Sequence, residues 1–491
     1  MNYVGVRTTV RFLLNDTMVE LKELLPTLTL LDFLRLDRGL AGAKEGCAEG
    51  DCGACTVLVG RVKVNGLVYE SINSCIRFVA SLDGCHVVTI EHLAGKNGAL
   101  HPVQQALVDY HGSQCGFCTP GMVMSLYGHW MARGAGDAEA IKEVLQGNLC
   151  RCTGYKPIVD AGQAVLAAGG EQADKLLVER EQIITKLESI SDNKRVEIAG
   201  DDGHFILPAN VDDLAKLLVE KPHLTIVSGA TDVGLWVTKQ MREISPIVFI
   251  SNLDQLRMIV ETEDALSIGA GVTYADFQVM VKKHFPELLR FWSRIGGAQV
   301  RNAGTIGGNI ANGSPIGDMA PLLIALGAQI TLRYGSRRRF LPLEDYFISY
   351  GKQDRKPGEF IESISIPYPD PQASYAAYKI SKRHDEDISS VCGVFYLKLD
   401  QDNRVTKITV VFGGMAGIPA RAPAVEKSLM DQQWNQETVF LAMKEFSADY
   451  TPLSDFRASA EYRLLVAQNL LHRFYLETIG QVSELKRRAL L

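Results

Sequence analysis

Three cysteines lie within the stretch "CAEGDCGACTVLVG", residues 47–60. With Cys75 they give the spacing C-x4-C-x2-C-x19-C, formed by Cys47, Cys52, Cys55 and Cys75. Four thiolates suit a tetrahedral zinc ion or an iron–sulfur cluster. The x4/x2 spacing on a loop is typical of a plant-type 2Fe–2S site. Zinc is the second interpretation, because structural zinc more often uses paired C-x2–4-C knuckles, and unligated core cysteines are the third.

Glycines flank these cysteines at Gly46, Gly50 and Gly53. A cluster contains inorganic sulfide as well as thiolate, so its loop must wrap closely and direct backbone N–H groups at the sulfurs. Glycine permits the positive φ angles and the close approach that this requires. The glycines therefore favour a cluster over zinc.

A second group of cysteines occurs in "GSQCGFCTPGM" and "GNLCRCTGYKP", at Cys115, Cys118, Cys150 and Cys152. Both pairs lie on turns that lead into predicted helices, where free N–H groups and the helix dipole stabilise an anionic cluster. Thr119 is predicted to cap the first of these helices, with Pro120 as its first residue. C-x-C is too tight for a common zinc knuckle, so the group indicates a second cluster, with two pairs of packing cysteines as the alternative.

The remaining cysteines and the composition limit the classes of protein to which this chain can belong. Cys85 and Cys392 have no partner in spacing and are predicted to be small buried hydrophobes. Apolar residues make up 46% of the 491 and charged residues 22%, and the net charge of −6 argues against nucleic acid as a partner. The N-terminus lacks the apolar core of a signal peptide, and no stretch approaches about 18 uninterrupted apolar residues. We therefore expect a cytoplasmic protein without membrane spans.

The elements that must position the cysteines change character along the chain. The first 90 residues alternate as strands, with hairpin turns at Asn15-Asp16 and Asn65-Gly66 and one helix capped by Thr29. Residues 91–165 have helical periodicity. Residues 169–200 are charged and weakly apolar, which predicts a connecting segment, partly helical.

From about residue 203 a mixed α/β region begins. "LTIVSG" predicts a buried strand, and "TYADFQVMVKKHF" a helix capped by Thr273. A glycine-rich stretch at 295–318 leads into the apolar helix "MAPLLIALGA". The last 115 residues mix strands with helices such as "SAEYRLLVAQNLLHRFYLE" and form a predicted further domain.

Both cysteine groups together resemble the iron–sulfur part of the xanthine dehydrogenase family of molybdenum hydroxylases. The matching segments are "GAKEGCAEGDCGACTV", "QCGFCTPGMVMS" and "NLCRCTGY", and the resemblance extends over nearly the whole chain. It implies that Cys47, Cys52, Cys55 and Cys75 bind one 2Fe–2S cluster. It also implies that Cys115, Cys118, Cys150 and Cys152 bind the other.

The fold class that the resemblance implies is multidomain α+β. It comprises a β-grasp, ferredoxin-like 2Fe–2S domain at 1–90, a helical-bundle 2Fe–2S domain at 91–168 and a linker at 169–200. An α/β, non-Rossmann FAD-binding domain of the vanillyl-alcohol-oxidase or PCMH type follows at 201–370. A C-terminal α+β domain like that of CO dehydrogenase flavoproteins occupies 375–491.

The flavin region contains two small-residue loops, "TIVSGATDVGL" and "TIGGNIANGSPIGD". Such a loop can offer several N–H groups to a phosphate, but glycine-rich turns are mostly just turns. No G-x-G-x-x-G follows a strand here, so this is not a Rossmann fingerprint. The resemblance implies FAD contacts at Ile226, Val227, Ser228, Gly229, Ala230, Thr231, Asp232, Val233, Thr305, Gly308, Asn309, Asn312, Asp318, Ile361 and Lys379.

Three further positions bear on the flavin. Animal relatives have an aromatic residue where this chain has Ile295. Tyr350 and the "RHDEDI" loop at 383–388 resemble the region near a nicotinamide site. An acidic sequence of this kind is more often a solvated loop, which is the preferred interpretation of 383–388.

No molybdenum domain is present in the 491 residues, so the resemblance implies a split enzyme. The chain would be the electron-transfer subunit of an NAD⁺-dependent xanthine dehydrogenase, an enzyme of purine catabolism. It would assemble with a molybdopterin-binding large subunit as an α2β2 heterotetramer. Electrons from hypoxanthine or xanthine would pass through the helical-domain cluster and the ferredoxin-like cluster to FAD and then to NAD⁺. No side chain of this chain is expected to act as an acid or base.

Two alternatives stay open. An aldehyde-oxidising or N-heterocycle-oxidising molybdenum hydroxylase would use an equivalent subunit, and a non-catalytic zinc-binding scaffold belongs to another class. The sequence does not decide between NAD⁺ and oxygen as the final acceptor.

Overall fold

The computed structural model of the protein describes residues 5–64, 66–95 and 98–481. They form four consecutive units that follow the predicted change from strands to helices to mixed structure. No helix in these three ranges is both long and apolar enough to span a membrane. Asn65 of the predicted Asn65-Gly66 turn lies outside the described residues.

The first unit is a mixed sheet with a short helix packed on it, as the strand-like alternation predicts. Its elements are β1 (Val10–Leu14), β2 (Thr17–Leu21), α1 (Leu30–Asp32), β3 (Thr56–Lys63), β4 (Gly66–Asn73) and β5 (His86–Val88). The strand order is β2-β1-β5-β3-β4, with β1 and β5 parallel. The hydroxyl of Thr29 accepts a hydrogen bond from Asp32 N at 3.1 Å, which confirms the predicted cap. Cys47, Cys52 and Cys55 lie in the loop that leads into β3, and Cys75 follows the end of β4.

The second unit is helical and packs against the first. Its helices are α2 (Pro102–Asp109), α3 (Thr119–Met131), α4 (Ala138–Val144) and α5 (Lys156–Ala168). The predicted cap of α3 is wrong by one residue, because Cys118 is the N-cap and the Thr119 hydroxyl instead bonds Ser113 Oγ at 2.8 Å. One core joins the buried face of α3 to Leu58 of β3.

The predicted linker at 169–200 is largely folded onto the first two units. Two helices, α6 (Lys175–Val178) and α7 (Arg180–Ile190), bury Leu176, Ile183 and Leu187 in the core shared with α3. Residues Val196–Gly200 form β6 and pair with the next unit, so the predicted boundary at 200 is one strand too late. Arg7 bridges to this strand, with Arg7 N to Arg195 O at 2.8 Å and Glu197 N to Arg7 O at 2.9 Å.

The third unit contains two sheets with helices around them. Its first part consists of β6, β7 (Gly203–Leu207), α8 (Val211–Glu220), β8 (Thr225–Val227), α9 (Val233–Thr238) and β9 (Ile247–Phe249). The strands of this part form one sheet in the order β6-β7-β9-β8. Its second part consists of β10 (Ile259–Glu261), β11 (Ala265–Gly269), α10 (Tyr274–His284), α11 (Leu289–Trp292), α12 (Ala298–Ala303), α13 (Ile306–Asn312), α14 (Met319–Ala325), β12 (Gln329–Tyr334), β13 (Arg337–Pro342), β14 (Phe347–Ser349), β15 (Lys352–Gln353) and β16 (Phe360–Pro367). The second sheet has the order β10-β11-β16-β12-β13. The glycine-rich stretch at 295–318 is therefore partly helical, through α12 and α13.

The fourth unit is an antiparallel sheet covered by helices. Its elements are β17 (Ser374–Ile380), β18 (Val391–Leu399), β19 (Val405–Gly413), β20 (Ala420–Arg421), α15 (Pro423–Leu429), α16 (Gln436–Lys444), α17 (Phe446–Asp449) and α18 (Ala460–Thr478). The strands follow in chain order, β17-β18-β19-β20. Phe395, Phe412 and Phe474 pack between the sheet and α18, which confirms that α18 is a core helix.

Candidate functional site

The structure brings the four cysteines of the first quartet together. The Cys47 thiol lies within hydrogen-bonding reach of Cys52 and Cys75, and Cys75 also reaches Cys55. Cys55 and Cys75 are buried, and the N–H groups of Glu49 and Cys52 donate to Cys47 Sγ at 3.4 Å. Hydrogen bonds from Cys52 and Cys75 lower the pKa of the Cys47 thiol. The same thiol contacts raise the pKa of Cys52 and Cys75, so the feature of the loop that favours a ligating thiolate is the pair of backbone N–H donors to Cys47 Sγ.

The glycines of this loop are required by its geometry. A Cβ on Gly46 would lie 2.8 Å from Cys52 Sγ, and Gly50 and Gly53 have φ angles of 78° and 67°. In the described part of the chain no three His, Cys, Asp or Glu side chains are arranged to hold a single metal ion. Four thiols with N–H donors to sulfur are the donor set that a 2Fe–2S cluster uses, and the residues present fit it.

The second quartet is also brought together, but it lies at the surface. Cys115 contacts Cys152, and Cys118 contacts Cys150. Cys150 is buried, whereas Cys115 and Cys152 are exposed. Burial and the contact with Cys150 raise the pKa of the Cys118 thiol to about 12, while the Phe117 N–H lowers the pKa of Cys115. Its four thiols at the start of α3 and before α5 again fit a cluster.

The loops of the two quartets touch directly. Leu149 N, next to Cys150, donates to the carbonyl of Cys52 at 2.9 Å. Asn148 Nδ2 donates to the carbonyl of Gly53 at 3.0 Å. A Cβ on Gly53 would overlap the carbonyl oxygen of Gly147, so the backbones are in contact. One backbone hydrogen bond therefore connects Cys52 of the first quartet to Leu149, the residue before Cys150 of the second quartet.

The first quartet also contacts the third unit, through α9. Thr238 Oγ1 donates to the carbonyl of Ala48 at 2.7 Å. A Cβ on Gly234 would lie 2.8 Å from Ile76, so α9 packs closely beside Cys75. Because α9 begins at Val233, the last residue of the first predicted FAD loop, that loop and the first quartet are adjacent.

The predicted FAD residues at 226–233 form a strand end, a loop and a helix start. Ile226 and Val227 end β8, and the loop turns at Ala230, which has a φ of 61°. Gly229 packs so closely on the carbonyl of Ala303 that a Cβ there would overlap it. This contact joins the loop to the segment just before the second predicted FAD loop.

The second predicted loop is the start of a helix. Thr305 caps α13, its hydroxyl accepting from Gly308 N at 3.1 Å. Gly308 and Asn312 are exposed, and Asn309 Oδ1 is buried without a hydrogen-bond partner among the described residues. An exposed helix start beside an unpaired amide oxygen fits a polar ligand.

Asp318 and Lys379 are distant in sequence but form a buried ion pair. Lys379 Nζ lies 2.6 Å from Asp318 Oδ2, and the Ser389 hydroxyl donates to Asp318 Oδ1 at 2.5 Å. Asp318 follows Gly317, which packs on Asn309, so the pair adjoins the second loop. Ile361, the remaining predicted residue, is buried on β16. Together these residues provide N–H donors, an amide, an ion pair and an apolar wall, which fit FAD.

Gln299 on α12 connects three units and was missed by the sequence analysis. Its Nε2 lies 3.1 Å from Thr56 Oγ1, 3.1 Å from Ser125 Oγ and 2.8 Å from Asn148 Oδ1. The side chain is 1% exposed. A glutamine in a helix gives no sequence signal for such a role.

The acidic loop at 383–388 contains no buried residue, in line with the preferred interpretation of that sequence, but it also contacts the first and second units. The Glu386 side chain is wedged against Gly147 and Gly297, and Arg383 pairs with Asp51 at 3.3 Å. Burial raises the pKa of Glu386 to about 7. Tyr350 is 78% exposed.

Ile295, the other position noted beside the flavin, is buried in the core of the third unit. An aliphatic side chain there supplies apolar contact without a ring to stack on.

Three family models match consecutive parts of the chain. They describe a [2Fe-2S] binding domain at residues 89–163, the FAD binding domain in molybdopterin dehydrogenase at 198–369, and the CO dehydrogenase flavoprotein C-terminal domain at 376–478. They support the predicted helical cluster domain and flavin domain. The first match ends within α5 and the second begins within β6.

Curated relatives match nearly the whole chain. The xanthine dehydrogenase of Emericella nidulans is 30% identical over 97% of this chain and 39% of its own length. Xanthine dehydrogenase 1 of Arabidopsis thaliana is 29% identical over 91% and 38%. Aldehyde oxidase 2 of Macaca fascicularis is 28% identical over 96% and 39%. This chain thus spans about two fifths of the length of these relatives.

Solved structures share the fold of part of the chain. Carbon monoxide dehydrogenase from Hydrogenophaga pseudoflava matches with a TM-score of 0.53 and 23% identity over 57% of this chain and 98% of that one. Quinoline 2-oxidoreductase from Pseudomonas putida 86 matches with a TM-score of 0.51 and 22% identity over 56% and 97%. These matches support a PCMH-like FAD-binding fold.

Proposed function

We propose a function on the premise that this chain carries the 2Fe–2S and FAD part of a molybdenum hydroxylase. It is the electron-transfer subunit of a xanthine dehydrogenase, and a partner subunit holds molybdopterin and the purine. Bound clusters supply single-electron carriers, and bound FAD converts single electrons to the hydride that NAD⁺ accepts.

The observation that carries the proposal is the order in which the sites touch. The second quartet is nearer the surface, its loop donates a hydrogen bond to the carbonyl of Cys52 in the more buried first quartet, and α9 joins the first quartet to the FAD loop. A relay needs an outer entry point, short separations and an inner acceptor. These contacts supply that order within one chain.

The residues of this chain hold and tune the groups rather than react. Cysteine thiolates are the ligands, and the N–H groups aimed at Cys47 and Cys115 stabilise their charge. Packing around Cys55 and Cys75 buries these two thiols, whereas Cys47 and Cys52 are partly exposed.

The partner's contact surface is the exposed area around the second quartet. Phe117 is 47% exposed beside Cys115 and Cys118, and Leu149 and Tyr155 are partly exposed beside Cys150 and Cys152. Apolar side chains next to exposed thiols favour a protein partner that covers both. An α2β2 heterotetramer in the cytoplasm is the assembly that we infer.

The substrate follows from the relatives rather than from this chain. Several relatives are named xanthine dehydrogenase, which supports hypoxanthine or xanthine. A relative named aldehyde oxidase and a structural neighbour named quinoline 2-oxidoreductase favour a second candidate, an aldehyde-oxidising or N-heterocycle-oxidising hydroxylase.

The test is purification of the complex, with iron and flavin analysis and xanthine-dependent reduction of NAD⁺ and of oxygen. We expect about four irons and one flavin per chain, with about two irons each in Cys55→Ser and Cys115→Ser. Cys85→Ala is the control, because Cys85 is buried outside both quartets. A zinc-loaded, colourless wild type would contradict the function, and aldehyde or quinoline turnover without xanthine turnover would select the second candidate.

A further inference from the structure

A cavity lies between the first unit and the strand ends of the third unit. Its lining includes Arg61, Arg77 and Arg257, together with Ser228, Gly229 and Thr305. The arginines are thus gathered from two units around one space that residues of the predicted FAD loops also line.

Arg77 is the unusual member of this set. It is only 7% exposed, and its Nε has no hydrogen-bond partner among the described residues. Its Nη2 reaches only the carbonyl of Ser81, at 3.4 Å, and within the described ranges no carboxylate lies at ion-pair distance from it. A buried guanidinium without a counter-ion is costly, which points to an anion that the protein chain itself does not supply.

The flanking charges leave the cavity positive. Arg61 Nη1 bonds neutral oxygens, Ser251 O and Asn252 Oδ1, both at 3.0 Å. Arg257 pairs with Asp276 at 3.1 Å.

A carboxylate, Glu70, also lines the cavity. Lys63 Nζ lies 2.6 Å from Glu70 Oε1 and 2.9 Å from Asp276 Oδ1. Three arginines and one carboxylate therefore line the cavity, and the Lys63 and Asp276 charges beside it cancel, which leaves a surplus of about two positive charges.

We propose that this cavity binds a phosphate group, with Arg77 as its buried cation. Arg61 and Arg257 flank the anion, and the Ser228 and Thr305 hydroxyls and the Gly229 backbone face it. Guanidinium groups suit phosphate because they donate planar, paired hydrogen bonds.

The phosphate has two possible sources with the same chemistry. One is the diphosphate of FAD, a choice that rests on the proposed function, in which case Arg77 of the first unit secures a cofactor of the third. The other is a separate phosphate compound bound beside the flavin.

The test compares Arg77→Gln with Arg77→Lys, and with Arg133→Gln as control, because Arg133 is 62% exposed and pairs with Glu171 elsewhere. Flavin-free full-length chain is titrated with FAD and with riboflavin, which lacks phosphate, by fluorescence quenching. The thermal midpoints of flavin-free and flavin-loaded chain are then measured with inorganic diphosphate, against sodium chloride of equal ionic strength.

If FAD is the source, Arg77→Gln weakens FAD binding by about tenfold or more, leaves riboflavin binding unchanged, and Arg77→Lys recovers part of the loss. If a separate phosphate is the source, diphosphate raises the midpoint of flavin-loaded wild type but not of Arg77→Gln. Equal FAD binding and equal diphosphate response in wild type and Arg77→Gln overturn the proposal.

If Arg77→Gln does not fold, the wild type decides: absence of diphosphate protection beyond that of sodium chloride in both flavin-free and flavin-loaded chain overturns the proposal. Arg77-dependent diphosphate protection in a chain that does not bind FAD contradicts the proposed function and supports the cavity. Tight FAD binding that does not depend on Arg77, without a diphosphate effect, contradicts the phosphate site in the cavity and supports the proposed function.

Discussion

The side-chain amide of Gln299 donates a hydrogen bond of 2.8 Å to Oδ1 of Asn148, two residues before Cys150. The same nitrogen lies 3.1 Å from Thr56 Oγ1, next to Cys55. One buried amide of the flavin-binding unit therefore fixes the loops of both quartets.

Replacing Gln299 by Leu removes this donor and leaves buried oxygens of Thr56, Ser125 and Asn148 short of a partner. We expect a loss of about 2 to 3 kcal/mol in the free energy of the first urea unfolding transition. Reduction of the bound flavin in stopped flow should also slow. Gln105→Ala, on an exposed helix face, is the control. Equal stability of the two variants would show that the Gln299 amide does not stabilise the loops of the two quartets.

Gly53→Ala tests the contact between the quartet loops. Gly53 has a φ of 67° and its Cβ would overlap Gly147 O, whereas Gly39 has a φ of 68° with open space around it. Gly39→Ala should cost about 1 kcal/mol from backbone strain alone. We expect Gly53→Ala to lose clearly more, together with iron, as measured by thermal unfolding and metal analysis. Matching losses in the two variants would mean that the loops are not held in contact.

Lys379→Met leaves Asp318 charged and buried, with only Ser389 as a side-chain donor. We expect destabilisation by about 3 to 5 kcal/mol and weaker FAD binding. The double variant Asp318→Asn/Lys379→Met should be more stable than Lys379→Met, because it removes the unpaired charge. A double-mutant cycle on the unfolding free energy measures the coupling, and additive effects would contradict the ion pair.

Glu386 should make stability depend on pH. Burial, and then repulsion from Asp51, raise its pKa from 4.5 to about 7, despite Arg301 and Arg383 nearby. The folded protein therefore holds a proton that the unfolded chain releases above about pH 4.5, and stability falls as the pH rises from there to about 7.

Glu386→Gln should remove that decline, a difference of up to about 3 kcal/mol between pH 5 and pH 8. Thermal midpoints of wild type and variant across this range give the measurement. The exposed substitution Glu437→Gln should leave the slope unchanged. Parallel pH profiles for wild type and Glu386→Gln would show that this carboxyl does not titrate as described.

The cysteine positions were the most predictable part of the site. Ligand spacing fixes which thiols can meet, and the structure gathers Cys47 with Cys75 and Cys115 with Cys152 as their spacing and resemblance predict. Their role as cluster ligands stays a prediction until iron is measured.

The helices α12 and α13 were not predicted, because glycines at 296, 297, 304, 307 and 308 lower helix propensity in that stretch. Tertiary contacts override this preference. A Cβ on Gly307 would lie 2.5 Å from Ala270, and one on Gly304 would lie 3.2 Å from the ring of Tyr274, so close packing favours glycine at both positions. Only the folded partner strands reveal that requirement.

The positions of the Gln299 and Glu386 side chains were also beyond the sequence. Gln299 is buried and Glu386 is partly exposed, and both side chains approach Gly147, more than 150 positions away in sequence. A charged segment ordinarily predicts solvent exposure, and only the folded structure shows that one carboxyl of this segment lies against another unit.

The bridge between Arg7 and Val196 sets an order of events during synthesis. Arg7 leaves the ribosome long before Val196, so this bridge can form only after β6 has been translated. Docking of the flavin-binding portion then closes the chain into a loop, and a chain stopped before Val196 lacks the strand that completes this closure.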